Sequence, residues 1–415
     1  MSQLREQSNP DYSHVVVIVG GGAGGLAVAG GLLRAQTDLD VAVIEPSDDH
    51  YYQPGWTLVG GGVMDAETTH HREADHMPDK VTWIKDAAAS FDPDNKRLTL
   101  ANGKTVSYNV LVMAAGLQLD WDKIDGLTDA LGQNGVTSNY RFDLAPYTWR
   151  LTEQFKGGAA LFTQPSMPIK CAGAPQKAMY LSADHWRKHS VNANVHFYNQ
   201  GGAMFGVPVY AKALDKVVAD YGIQTHFGHN LVAVDGPGQR ATFQTEDGTV
   251  DVRFDMLHVV PPQSAPNFIK ASPLSDDSGW VAVDQNSLQH DRYANVFGLG
   301  DCTNTPNAKT AAAVRQQFPV VVAGVLAALG HGSVAPRYDG YGACPLTTER
   351  GKVMLAEFRY GGEVVSSFPL DPTKPRRLQW LMKRRIFPWL YWNVLLAGKN
   401  WDKPEPKARP GIVSG

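Results

Sequence analysis

The sequence predicts an α/β chain made of two parallel-sheet domains wound from βαβ units, followed by a helical C-terminal region. Three observations predict it. A continuous β-branched run, His14-Val-Val-Val-Ile-Val19, leads directly into glycines and a small-residue helix. A second βαβ pattern fills the middle of the chain, and the stretch from Arg376 onward is basic and tryptophan-rich rather than strand-forming. At 415 residues there is room for two or three domains and a large ligand between them.

The first strand is buried on both faces, because a β-branched run without polar alternation has no solvent side. It opens onto Gly20-Gly21-Gly22-Ala23-Gly24-Gly25, a G-x-G-x-x-G turn at a helix N-terminus. Gly20 permits the tight turn, Gly22 lets the backbone approach a pyrophosphate, and Gly25 lets the helix pack on the strand. A second strand, Asp40-Val-Ala-Val-Ile-Glu45, ends in an acid 20 residues past Gly25, placed to accept from a ribose hydroxyl. The turn alone does not choose between NAD and FAD; the rest of the chain does. Val110 to Gly116 is another strand and turn, Ala294 to Asp301 is a short strand closing on Gly-Asp, and Lys309 to Gln317 is helix-forming. These elements resemble those of flavoprotein disulfide reductases. There the Asp contacts the ribityl chain and the helix points its positive end at the flavin pyrimidine.

Gly157 to Thr163 and Ala193 to Tyr198 are the strands of the second unit, with the helix Gln176 to His189 between them. A pyridine-nucleotide site needs glycines after the first of these strands. Here stand Gln164-Pro-Ser-Met-Pro-Ile-Lys-Cys-Ala-Gly-Ala-Pro175, and the next strand ends in Asn199-Gln200 without an acid. NAD(P)H is therefore not expected as the electron donor.

Composition narrows the partners. Lys+Arg 38 against Asp+Glu 41 gives a net charge of −3, without the basic excess of a nucleic-acid binder. Cys171, Cys302 and Cys344 are too few and too widely separated for a zinc motif or a disulfide scaffold. His70, His71 and His76 lack acids or thiols at ligand spacing and read as a solvated loop, and no metal is expected. Cys171 and Cys344 sit in turn-rich loops, and a lone cysteine there is either an inert thiol or a reactive one. Lys170 and the following helix favour thiolate at Cys171. Cys302, beside the crowded Gly-Asp turn, reads as structural, and Glu349 and Glu357 as surface charge. The N-terminus has no apolar signal core and carries Glu6 and Asp11, so the chain is expected to begin inside the cell.

Arg376 to Lys403 holds seven Lys/Arg, one acid (Asp402) and four tryptophans, Trp380, Trp389, Trp392 and Trp401. With Phe387 these suit an anionic membrane surface. The uncharged run from Ile386 to Gly398 is too short to cross a hydrocarbon core of about 30 Å. Pro388 is expected to break it into two short helices lying flat.

The blocks His50-Tyr-Tyr-Gln-Pro-Gly-Trp-Thr-Leu-Val-Gly60, Lys170-Cys-Ala-Gly-Ala-Pro-Gln-Lys177, Gly300-Asp-Cys-Thr-Asn304 and Cys344-Pro-Leu-Thr-Thr348 closely resemble the sulfide:quinone oxidoreductase family, in the two-cysteine subgroup typified by the mitochondrial enzyme. The resemblance implies two Rossmann-like domains on a glutathione-reductase plan with a C-terminal membrane-docking helical region. Residues 14–156 with 263–338 would bind FAD non-covalently, 157–262 would form the second domain, and 339–415 the C-terminal region. It implies FAD contacts from the glycine turn, Glu45, Pro46, Gln53, Ala88, Ala115, Gly116, Asp301, Lys309 and Thr310, with Lys309 beside the flavin carbonyl. Cys171 and Cys344 would be the redox pair, bridged directly or through an added sulfur. Hydrosulfide would attack at Cys344 and leave a persulfide, and the sulfur displaced at Cys171 would reduce the flavin. Membrane quinone would take the electrons, and glutathione, sulfite, cyanide or CoA the sulfur. A homo-oligomer is left open. The N-terminus suggests a bacterial version on the cytoplasmic face of the inner membrane. The competing readings are a type-II NADH:quinone dehydrogenase, and a flavin-bearing sulfide sensor or flavocytochrome subunit.

Overall fold

The structure, a computed structural model, describes residues 9–332, 336–400 and 407–408. Its first sheet runs, from one edge, Thr82–Ile84, Val41–Ile44, Tyr12–Val19, Thr105–Met113, Arg97–Leu100 and Ala88–Asp92. The first four strands are parallel, and Val296–Gly298 adds a parallel strand on the C-terminal half of Thr105–Met113. The β-branched run does what its composition dictates: Val16, Val17 and Ile18 have no exposed surface. The helices Ala23–Ala35 and Ala311–Ala328 pack on each other, closely enough that a Cβ on Gly31 would come within 2.8 Å of Val322. Ala311–Ala328 is the one described helix long and apolar enough to cross a membrane. Its Val314, Phe318, Val321 and Val325 are instead buried in the first core.

The second sheet is parallel throughout, in the order Val136–Thr137, Met256–His258, Gly158–Gln164, Ala193–Asn199, Gln224–Phe227. Val136–Thr137 lies upstream of the boundary expected at residue 157, so this unit recruits an earlier segment. The helix Ala174–Lys188 returns the chain from Gly158–Gln164 to Ala193–Asn199. A hairpin, Gly342–Glu349 with Lys352–Phe358, then places Cys344 opposite Ala356 and packs against that helix.

Pro388 does not break the C-terminal helix. The chain stays helical from Arg377 to Leu395, alternating α-helical Arg377–Leu381 and Phe387–Leu390 with π-helical Met382–Ile386 and Tyr391–Leu395. The π turn ends just before Pro388 with Phe387 N–H bonded to the Met382 carbonyl, five residues back. Pro388 thereby sits in the first turn of the next α-helical segment, where no N–H is needed. Trp401, Asp402 and Lys403 lie outside the described residues.

Candidate active site

Gly20 has φ +105° and Gly22 faces open space. A Cβ on Gly25 would run into the Gly20 carbonyl, so that glycine is dictated by close packing. No side chain caps the N-terminus of Ala23–Ala35, leaving its N–H groups to a ligand. Glu45 accepts from Gly21 N–H and Ser47 N–H, both at 2.8 Å. Gly20, Gly22, Ala23, Gly24, Glu45, Gln53, Ala115, Gly116, Asp301, Lys309 and Thr310 line one cavity of ≈520 Å³. Trp56 Nε1, Thr57 Oγ1 and both polar atoms of the Asn139 side chain also belong to residues of its wall; they are buried with no partner among the described residues. An uncapped helix, an acid held at the second strand's end and these orphaned groups fit an extended dinucleotide such as FAD.

Gly21, Gly25 and Pro46 stand outside the cavity lining. Ala88 is not at the cavity either: it pairs with Leu100 in the antiparallel edge of the first sheet and packs into the core. Lys309 lines the cavity, but its Nζ donates to the Asp301 and Thr303 carbonyls, both at 2.8 Å, with the Trp280 ring 4.1 Å away. Burial lowers its pKa, as burial raises that of Asp301.

The two cysteines come together from 173 residues apart. Cys171 Sγ lies 3.6 Å from Cys344 Sγ. Gly173 makes room for the approach, since a Cβ there would lie 2.6 Å from Cys344 Sγ and against Leu346. Cys171 lines the cavity, takes the left-handed φ of +53°, and is tied to the flavin-side loop by its N–H to the Lys309 carbonyl at 2.9 Å. A β-carbon makes that conformation costly, so the surrounding bonds must hold it. The S–H donated by Cys344, then the Lys177 ammonium 2.9 Å away, hold Cys171 well below the ordinary thiol range. Cys344 is pushed well above it, as the donor to that thiolate and by burial. Cys302 is fully buried, donates to the Met113 and Leu299 carbonyls at 3.4 Å, and is pushed up to about 11 by burial.

The cation at Cys171 is thus Lys177, one turn into the helix, not the adjacent Lys170. Lys170 Nζ donates to Gln53 Oε1 at 2.6 Å, and burial brings it down to about 8. Lys383, counted above among the membrane-facing cations, is 4% exposed. Its Nζ donates to Pro345 O at 3.0 Å and Thr347 Oγ1 at 2.6 Å, on the strand that carries Cys344. Burial pushes its pKa well down. Glu357 is not surface charge. It is 2% exposed, accepts from Tyr341 Oη–H at 2.7 Å and Ser367 N–H at 2.8 Å, and lines the cavity. Glu349 pairs with Lys352 at 2.7 Å. The histidines are not a solvated loop: His71 Nδ1 is 2.8 Å from His76 Nε2, and both rings stack on Trp392, which is half-buried.

The C-terminal helix shows both apolar and basic side chains to solvent. Leu378, Leu381, Ile386 and Trp389 are exposed, beside exposed Arg377, Arg384 and Arg385. Trp380 is half-buried, and Phe387 turns to the cavity.

A dinucleotide turn opening on the same cavity as a paired thiolate and thiol defines a disulfide-oxidoreductase-type flavoprotein, and the family described as pyridine nucleotide-disulphide oxidoreductase matches residues 14–146. The sulfide:quinone oxidoreductase, mitochondrial, of Dictyostelium discoideum is 43% identical over 396 residues, 94% of this chain and 87% of the relative. That of Mus musculus is 42% identical over 394 residues, again 94% and 87%. The chain belongs to the sulfide:quinone oxidoreductase family. The crystal structure of that enzyme from Aquifex aeolicus shares the fold, with a TM-score of 0.73 at 18% identity over 97% of this chain and 98% of that one. Relatives named as mitochondrial give no support to the bacterial inner membrane expected above.

Proposed function

We propose that this chain is an FAD-dependent enzyme that oxidises hydrogen sulfide at Cys171 and Cys344 and passes the electrons to quinone at a membrane surface. The observation that carries the reading is the 3.6 Å approach of the two sulfurs at the wall of the dinucleotide cavity, with Lys177 on one of them. In the oxidised pair, hydrosulfide attacks the Cys344 sulfur. A new S–S bond forms there, the bond to Cys171 breaks, and the electron pair leaves on Cys171 while Cys344 keeps a persulfide. That direction is favoured because the lower-pKa sulfur is the better leaving group. FAD bound in the cavity beside Cys171 would supply the two-electron chemistry that links this pair to quinone. Lys177 holds the departing thiolate, Gly173 keeps the sulfurs in reach, and Lys383 fixes the strand of Cys344. The persulfide sulfur passes to a small nucleophile such as glutathione, sulfite, cyanide or CoA, and the Cys344 thiolate released by that transfer bonds Cys171 as the electron pair leaves it, which restores the oxidised pair.

Two features support sulfide rather than NAD(P)H as donor. The strand Ala193–Asn199 ends with Asn199, whose Oδ1 accepts from Gly201 N–H at 2.8 Å, and the segment before Cys171 carries prolines instead of glycines. The exposed apolar and arginine stripe of Arg377–Leu395 supports peripheral docking to a bilayer surface. Anaerobic stopped-flow mixing tests the reading. Sulfide should bleach the flavin of the wild type and not of Cys171→Ser, and NADH should bleach neither. Full sulfide-dependent bleaching of Cys171→Ser would refute it.

A further inference from the structure

One buried polar cluster has no part in the sulfide step. Tyr391 Oη is 2.8 Å from His50 Nε2, and His50 Nδ1 is 2.7 Å from Glu73 Oε2. The three side chains are 6%, 4% and 2% exposed, and all three residues line the cavity. Tyr391 stands on the C-terminal helix between Leu390 and Leu395, which with Phe387 give the cavity an apolar wall. Its ring packs at 4.9 Å on that of Tyr52, whose neighbour Gln53 accepts from Lys170 beside the cysteine pair. The apolar wall and the sulfur site therefore border one space. Glu73 Oε1 has no partner among the described residues, so the file ends in an unfilled acceptor. Such a file of donors and acceptors costs desolvation and is expected where it moves or holds a proton.

We propose that Tyr391, His50 and Glu73 form a relay that delivers a proton to the quinone; this rests on the quinone reading above. Reducing a quinone to the quinol takes two electrons and two protons. The reduced flavin would supply the electrons and one proton, and the relay supplies the other. With a proton on each ring nitrogen of His50, Nδ1–H donates to Glu73 and Nε2–H donates to Tyr391 Oη. The Tyr391 O–H is then held only by a long donation of 3.5 Å to the Tyr51 carbonyl and can turn from it into the cavity. As the quinone is reduced, the Tyr391 O–H bond breaks toward the quinone oxygen. Nε2–H passes to Tyr391, leaving neutral His50, and a solvent proton recharges the pair. Tyr391 is the catalytic residue; His50 and Glu73 act through it. The groups facing the file are Glu45 and Tyr52 from the first domain, and His71, Asp75 and His76 around Trp392.

The test separates the half-reactions of the full-length holoenzyme on vesicles. Sulfide first reduces the flavin anaerobically, which reports folding and cofactor content because the cysteine pair does this step. A short-chain quinone is then mixed in, and flavin reoxidation is followed against pH in H2O and D2O. For the wild type we expect a solvent isotope effect on reoxidation. For Tyr391→Phe we expect reoxidation slowed about 10²-fold, the scale of general acid catalysis, with the isotope effect lost. Glu73→Gln, which keeps the shape, should shift the pH profile without changing quinone affinity, and it replaces Tyr391→Phe should that variant lose flavin. Wild-type reoxidation rate and isotope effect in either variant would overturn the relay. A wild type whose flavin quinone cannot reoxidise would instead overturn the quinone reading.

Discussion

Replacing Lys177 with methionine removes the one cation among the described residues in direct contact with the half-buried Cys171 thiolate while keeping the length of the side chain. At the observed 2.9 Å, two unit charges attract by about 6 kcal/mol at an effective dielectric constant of about 20. Much of this is offset, because the ammonium was itself desolvated, Cys344 continues to donate to Cys171, and Lys383 stays nearby. If only a quarter survives, about 1.4 kcal/mol, the thiolate population on the rising limb of its titration falls about tenfold. The sign is fixed: losing a cation raises the Cys171 pKa, so the alkylation profile moves to higher pH. The assay is the rate of iodoacetamide modification of the reduced protein against pH, with Cys171→Ser subtracted. Cys302 does not interfere, since its thiol is buried and pushed up to about 11. Lys177→Met should react about fivefold more slowly at the pH where the wild type is half-reactive and about tenfold more slowly well below it, and Lys177→Arg should recover part of the loss. A profile superimposable on the wild type would refute the assignment of Lys177 as the partner that holds Cys171 ionised.

Other consequences can be checked separately. In Gly173→Ala the new Cβ would lie 2.6 Å from Cys344 Sγ; overpacking of this kind costs about 1–3 kcal/mol, and chemical denaturation together with slower sulfide-dependent bleaching should show it. Lys170 is charged below about pH 8 and neutral above it, so its pull on hydrosulfide disappears as pH rises through that value. The bleaching rate per hydrosulfide anion should fall there in the wild type and show no such step in Lys170→Met. Leu381→Glu with Trp389→Glu places charges on the exposed apolar stripe; losing two such contacts, worth roughly 1.5 kcal/mol or more each, should lower vesicle binding more than tenfold in a sedimentation assay, with flavin content unchanged. Deleting the whole segment from Arg376 is a poorer test, because Lys383 and Tyr391 are buried against the site and Ala397 lies against Gly30.

The parts of the site that were legible in the sequence are those in which local backbone chemistry dictates residue type. The glycine turn, the acid at Glu45 and the turn-rich loops around Cys171 and Cys344 each declare themselves within a few residues. Lys177 was harder, because it lies six positions after Cys171 and only the N-terminal turn of the helix folds it back. Glu357 was hidden by strand pairing: its partners Tyr341 and Ser367 lie on either side of a hairpin.

Lys383 was misread for a reason of helical phase. Gln379, Lys383, Phe387, Tyr391 and Leu395 recur every four residues. On a regular α-helix of 3.6 residues per turn, each such step rotates by about 40°, so five positions would spiral over nearly half the surface and no single face could hold them. A run of cations on that helix reads as solvent-facing. The two π-helical turns, Met382–Ile386 and Tyr391–Leu395, underwind the segment and remove most of that drift. Gln379, Lys383, Tyr391 and Leu395 are consequently all buried, and Phe387 reaches the cavity from the same side. The same underwinding leaves Leu378, Leu381, Ile386 and Trp389 outside. One helix therefore carries the contact with the Cys344 strand, the end of the His50 file and an exposed apolar face.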